Sequence, residues 1–329
     1  MELHWINDAE GVSRRDLVEL PDLLTRTDGF LWLDIPVWSE RAEDILTNQF
    51  GFHPMAIEDC RKRNHIPRVH VYPNHLFIVV HAPEIGTGGH VHYLELDQFI
   101  GERFLVTVHG PLNPKVPLEA ALRETESVAE RMERGRLQPT SPFGLTYAIV
   151  SSIARRESAL AAEIARQVGL LEQRVMAASD VEESQDFLTE LFTARHELLT
   201  IRTMASQGGD IYRRAIKLTT FAPPNGLKLM KDLLHQYETV ASISQAQLDF
   251  LMGVTEFYRA RTDTKMTIAA ERLAVIAAIT LPITATSSVV GMNVIVNEQT
   301  MWVPLTLLLA FMATMSIMLL IWAKRQGWW

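Results

Sequence analysis

Residues 273–296, LAVIAAITLPITATSSVVGMNVIV, and residues 301–323, MWVPLTLLLAFMATMSIMLLIWA, decide the architecture of this 329-residue chain. Between Arg272 and Lys324 the only charged residue is Glu298. Each span is longer than the roughly 20 helical residues that cross a hydrocarbon core. Lipid offers no hydrogen bonds, so the backbone of each span must satisfy itself as a helix. Lys and Arg flank the pair only on the outside: Arg259, Arg261, Lys265 and Arg272 before it, Lys324 and Arg325 after it. The connecting residues 297–300 carry neither. By the positive-inside bias both termini are cytoplasmic and the loop faces out. The expectation is a multi-pass protein of the plasma (inner) membrane, in contact with lipid, ending in a basic cytoplasmic segment at 324–329.

The residues before the hairpin suffice for one large or two modest domains. The net charge of −8 argues against nucleic acid as a partner. A single cysteine, Cys60, excludes an intramolecular disulfide framework and a Cys-rich zinc site. The start, Met1-Glu2-Leu3-His4-Trp5, has no basic and apolar signal run, so the hairpin itself is expected to direct insertion.

Residues 1–115 read as an α/β cytoplasmic domain. Phe30–Ile35 is a strand entered through Asp28-Gly29, and Ser39 caps a helix with an apolar face at Ala42, Ile45, Leu46 and Phe50, stopped by Gly51. His53-Pro54 opens a second short helix. Leu76–Val80 is a buried strand, and Glu95–Ile100 with Phe104–Val108 form a hairpin. Three prolines at 111, 114 and 117 mark a connection to a helical region, 116–226. Apolar residues at 3.6 spacing predict helices from Phe143 to about Met176 and from Glu182 to about Ala205, with Gly208-Gly209 as a break. From Leu227 no Pro or Gly cluster intervenes before Val290. A stalk helix over 227–272 is therefore expected to run on into the first span. The fold class expected is an α+β cytoplasmic domain followed by a long stalk helix and two C-terminal transmembrane helices.

Thr280, Thr284 and Ser288 recur at i, i+4 and i+8, with Gly291 at i+11 and Asn293 after it. Such a stripe lines water or packs against another helix, and the residues alone leave both open. An Asn carbonyl can meet a cation's hydration shell. The second span is apolar apart from Thr306, Thr314 and Ser316, as an outer helix should be. One hairpin cannot enclose a pore, so a channel needs several copies in a ring.

Gly291-Met292-Asn293, placed at the end of the first of two C-terminal spans, resembles the signature of the CorA-type magnesium transporters, the two-span GxN family. Leu281-Pro282-Ile283-Thr284 is similar to the family's pore segment. FGFHPMAIED (50–59) resembles its Phe-Gly-Leu-His-Pro-Leu-Ala-Leu-Glu-Asp stretch, and DQFIGERFLVTVH (97–109) its second hairpin. The resemblance runs from about residue 30 to the C-terminus. It implies a funnel-shaped homopentamer that passes Mg²⁺, with Co²⁺ and Ni²⁺ as further cargo, down the electrochemical gradient. It further implies a selectivity ring of Gly291, Met292 and Asn293. The pore face would be Thr284, Leu281, Ser288, Ala277, Leu273, Ala270 and Thr267, with Glu256 near its cytoplasmic end. Asp232 and Glu84 would form a regulatory Mg²⁺ site between subunits. No organic cofactor is implied.

The sequence departs from the family at the outer loop, where Asn297-Glu298-Gln299-Thr300 stands in place of Met-Pro-Glu-Leu, and at Val290 in place of an aromatic. Only Glu298 carries charge there. These departures keep open the zinc-transporting, ZntB-like branch, with or without proton coupling. A membrane-anchored structural or sensor protein is the reading from another class. An enzyme is not expected, since Gly-x-Ser-x-Gly, His-Glu-x-x-His and paired-Cys motifs do not occur. Nine of the eleven histidines fall in residues 1–109, but His90 and His92 have no readable third ligand for zinc. His53 reads as a cap and Cys60 as a small buried residue.

Overall fold

The computed structural model describes residues 1–9, 11–64, 66–177, 184–291 and 302–325. The chain forms two units, Met1–Met252 and Gly253–Trp329. In the first, seven strands make one sheet: β1 (Glu2–Asn7), β2 (Gly11–Arg15), β3 (Phe30–Ile35), β4 (Arg68–Val71), β5 (His75–Ile85), β6 (Val91–Gly101) and β7 (Phe104–His109). The order across the sheet is β2-β1-β3-β7-β6-β5-β4. Every neighbouring pair is antiparallel except β3 and β7, which run parallel with Leu33 opposite Val106.

Alternation along the strands gives the sheet two buried faces. Leu31, Leu33, Ile35, Phe77, Val79, Phe99, Val106 and Val108 face one core. It is covered by the short helices α1 (Leu20–Thr25), α2 (Glu40–Asp44) and α3 (Pro54–Arg61). Ser39 caps α2 by accepting from the Ala42 amide, and His53 Nδ1 accepts from the Met55 amide at 3.2 Å to cap α3. The chain after α2 widens to a π turn over Ile45–Gln49, which the apolar spacing does not foretell, and Gly51 at φ +65 ends it. The widened turn brings Phe50 and Phe52 together at 5.0 Å, and Phe52 stacks on Phe99 at 4.1 Å.

The opposite face carries α4 (Leu118–Glu133), α5 (Pro142–Ala177) and α6 (Ser184–Leu218). A buried polar chain pins β3 to β7 on this side. Trp32 Nε1 donates to Thr107 Oγ1 at 2.9 Å, Thr107 donates to Asp34, and His109 Nε2 lies 3.2 Å from the same carboxylate. The N-terminal strands β1 and β2 and the edge strand β4 are additions to the expected elements.

Gly208 and Gly209 do not break α6, contrary to expectation; the helix runs through both to Leu218. Their role is close packing against α7 (Pro224–Gly291). A Cβ at Gly208 would lie 2.8 Å from the ring of Tyr237, which is itself fully buried. Gly208→Ala should therefore destabilise despite the ~1 kcal/mol that alanine gains in a helix, because overpacking costs about 1–3 kcal/mol. Gly169→Ala, with nothing within 4 Å of the new methyl, should stabilise by up to ~1 kcal/mol. Opposite shifts in thermal midpoint are the expected result; shifts of the same sign would remove the packing explanation.

The second unit holds the remainder of α7 and α8 (Trp302–Arg325). Both helices are long and apolar enough to cross a membrane. The helix α7 accommodates Pro282 without ending.

Candidate functional site

Along α7 the half-buried positions of the second unit include Ala278, Ile279, Pro282, Ile283 and Thr286. Another face stays exposed on the single chain. It carries Glu256, Thr267, Ala270, Leu273, Thr280, Leu281, Thr284, Ser288 and Gly291, while Ala277 is half-buried. Thus one helix face presents nearly all the residues expected along a pore. Leu273 and Leu281 are each 67% exposed, which is a large apolar surface for a solvated helix and an ordinary one within lipid or an assembly.

The threonines of that face share one arrangement. Thr280 Oγ1 donates to the Ile276 carbonyl at 2.9 Å, Thr284 to Thr280 at 2.8 Å, and Thr267 to Asp263 at 3.0 Å. Each hydroxyl proton is thereby spent on the helix's own backbone. What remains directed outward is an oxygen with acceptor lone pairs, which suits the protons of a cation's hydration water. Sequence spacing reveals the stripe but not this orientation, which depends on the rotamer chosen at each threonine.

Met292, Asn293 and Glu298 lie outside the described residues, as does the whole connection 297–300. Gly291 is the last residue of α7 and has nothing within 4 Å of a Cβ position.

The two acids expected in regulation have separate partners. Asp232 is exposed on α7 and accepts from Tyr147 Oη and Gln236 Nε2, both at 2.8 Å. The Tyr147 bond, then the Gln236 bond, hold its carboxyl below the usual range, so it remains an anion at neutral pH. Glu84 is a strand residue of β5 opposite His92, not a loop residue, because the β5–β6 hairpin continues to Ile85 and Val91. Its carboxylate pairs with Arg156 of α5 and lies 3.5 Å from Arg123. Arg156 also holds Glu124 at 3.0 Å. Arg156 is the neighbour that the sequence reading missed, and only the packing of α5 on the sheet reveals it.

His90 and His92 meet edge-on at 4.6 Å, but His92 Nδ1 is paired with Asn113 at 3.0 Å. Burial, followed by the neighbouring His90, lowers the His92 pKa. Among the described residues no group of three or more His, Cys, Asp or Glu is arranged to hold a metal ion. Cys60 is fully buried, and burial pushes its thiol up.

With this geometry in hand, the comparisons with known proteins are consistent. A family model described as CorA-like Mg2+ transporter protein matches residues 27–325. The YfjQ protein of Bacillus subtilis (strain 168), named as a candidate metal ion transporter, is 26% identical over 94% of this chain and 92% of its own length. The cobalt/magnesium transport protein CorA of Thermotoga maritima is 21% identical over 85% of this chain and 77% of its own. Among solved structures, the complete CorA magnesium transporter of Methanocaldococcus jannaschii superimposes with a TM-score of 0.79 at 16% identity. That match covers 100% of this chain and 99% of the other.

Proposed function

The chain belongs to the CorA-like Mg2+ transporter family, and from that premise we propose that it is an inward Mg²⁺ channel built from five copies. It is a membrane-borne metal ion transporter rather than an enzyme. Our reading places α7 on the inside of a ring, with both termini in the cytoplasm of a cell whose plasma (inner) membrane it spans. Gly291, Met292 and Asn293 form the outer selective mouth. Mg²⁺ surrenders its waters reluctantly, so the ring of Asn293 carbonyls binds the hydrated ion. Thr284 and Ser288 pass it along an acceptor-lined wall, and Leu281 and Leu273 close the path by dewetting when it narrows. Ala277, Ala270 and Thr267 continue the path toward Glu256. The driving force is the membrane potential, about 2.3 kcal/mol per charge per 100 mV and twice that for a divalent ion.

The observation that supports this most is the exposed α7 face whose threonines turn their protons inward and end at Gly291. Thr286, Thr314 and Ser316 make the same backbone bond elsewhere in the two helices. The support therefore lies in the gathering of Thr280, Thr284 and Ser288 on one exposed face, which a membrane tether does not need. A second reading, Zn²⁺ carriage, draws on the changed outer loop at 297–300 and on Glu84, whose carboxylate is already neutralised by Arg156.

Uptake into proteoliposomes separates these readings, with Mg²⁺ and Zn²⁺ offered separately under an imposed potential or pH gradient. Potential-driven Mg²⁺ entry is expected. Zn²⁺ entry that follows the pH gradient, with little Mg²⁺, would move the chain to the zinc branch, and no flux from assembled protein would leave only an anchor. For regulation we assign inhibition by internal Mg²⁺ to Asp232, which is exposed and ionised, with Glu84 joining it only on release from Arg156. In the same vesicles Asp232→Ala should make uptake less sensitive to internal Mg²⁺. Unchanged inhibition would remove Asp232 from that role.

A further inference from the structure

Glu157 lies in the middle of α5 with no exposed surface, between buried Ile153 and Ala154 on one side and buried Ala161 and Ile164 on the other. Neither carboxylate oxygen has a hydrogen-bond partner. Its charge acts on Tyr237 of α7, against whose ring Tyr212 of α6 stacks at 6.0 Å. The hydroxyls of both tyrosines and of Ser244, two turns further along α7, are also buried without a partner. Burial is the only influence on the acidity of Glu157, and it acts upward; no basic side chain on α5, α6 or α7 offsets it among the described residues.

An ionised carboxylate in such a seam is buried with no partnering cation, the costliest way to bury a charge. A neutral acid costs far less in the same place, because it carries no charge to desolvate.

We propose that Glu157 is a proton-binding site in the helical core, held as the neutral acid beside Tyr237, and that its ionisation loosens α7 from α5 and α6. The helix so released is the one that runs on to Gly291 and carries the candidate pore face. The device therefore makes the packing of α7 sensitive to the pH on the side where this unit resides.

The direction follows from linkage. The folded value of Glu157 lies above the value of the free side chain, so the stability contributed by its proton is complete at acid pH. It is lost as pH rises through the folded value. The proton leaves to solvent, and no other reactant is needed.

The test uses the full chain in detergent or lipid and does not depend on transport. Infrared difference spectra of wild type against Glu157→Gln at neutral pH should show a neutral carboxylic-acid carbonyl band that the variant has lost. Tyr237→Phe should keep that band and shift its frequency. The thermal midpoint of wild type should fall as pH rises above the free carboxyl's 4.5, and at least half of that fall should vanish in Glu157→Gln. Glu157→Leu guards against a variant that packs poorly, since it should exceed wild type in stability at the alkaline end. Absence of the band in wild type, or identical pH slopes in all three proteins, would overturn the proposal.

Discussion

Replacing Asn293 with alanine is expected to reduce Mg²⁺ uptake on the order of 100-fold while leaving the protein folded and assembled. In the proposed ring of five copies the substitution would delete five amide carbonyls from the proposed mouth at once. Each hydrogen bond to the ion's water is worth about 0.5–1.5 kcal/mol net, and each 1.4 kcal/mol is tenfold in occupancy. The helix below should not respond, because Thr280 and Thr284 bond to their own backbone rather than to the mouth. The measurement is initial uptake at matched protein density beside a melting curve of the same preparation. Uptake within threefold of wild type would show that the ion is selected elsewhere on α7.

Phe99→Ala should remove about 3–5 kcal/mol of stability from the first unit. The ring is fully buried, stacks on Phe52 at 4.1 Å and meets Phe77 at 4.7 Å. Phe52 in turn touches the rings of Phe104 and His75, so the void cannot be filled without disturbing four aromatic neighbours. Aromatic contacts add to the loss from burial alone. The thermal midpoint should drop on the order of 10 °C, given the usual shift per kcal/mol for a unit of this size. A fall of under about 2 °C would mean that the β-sheet core repacks far more freely than interdigitated rings allow.

Periodicity carries its information unevenly along this chain. Strand β3 is legible to the residue, and so is a helix that passes Pro282, because both have patterns that only one geometry buries. Capping by Ser39 and His53 is legible for a similar reason, since the interaction is local. Elements whose identity depends on distant partners are not. β4 is four residues on a sheet edge, and β1 and β2 become strands only by pairing beside β3. Gly208 and Gly209 read as a break because the sequence does not disclose that Tyr237 needs the space. At the candidate site, the residue types along α7 are visible in the spacing. The inward turn of each threonine proton, the capture of Glu84 by Arg156 and the solitary Glu157 are matters of packing. Roles for Met292, Asn293 and Glu298 rest on the family motif and on the experiments above.

The parallel pairing of β3 with β7 sets a timetable for synthesis. The sheet is incomplete until His109 has emerged, because β7 must wedge between β3 and β6. About 160 further residues must then be translated before the first apolar span appears, or roughly 8–30 s at 5–20 residues per second. The N-terminal sheet therefore has time to close on the ribosome before the membrane machinery meets a hydrophobic segment. A destabilised sheet, as in Phe99→Ala, would arrive at the translocon still exposing β-strand edges.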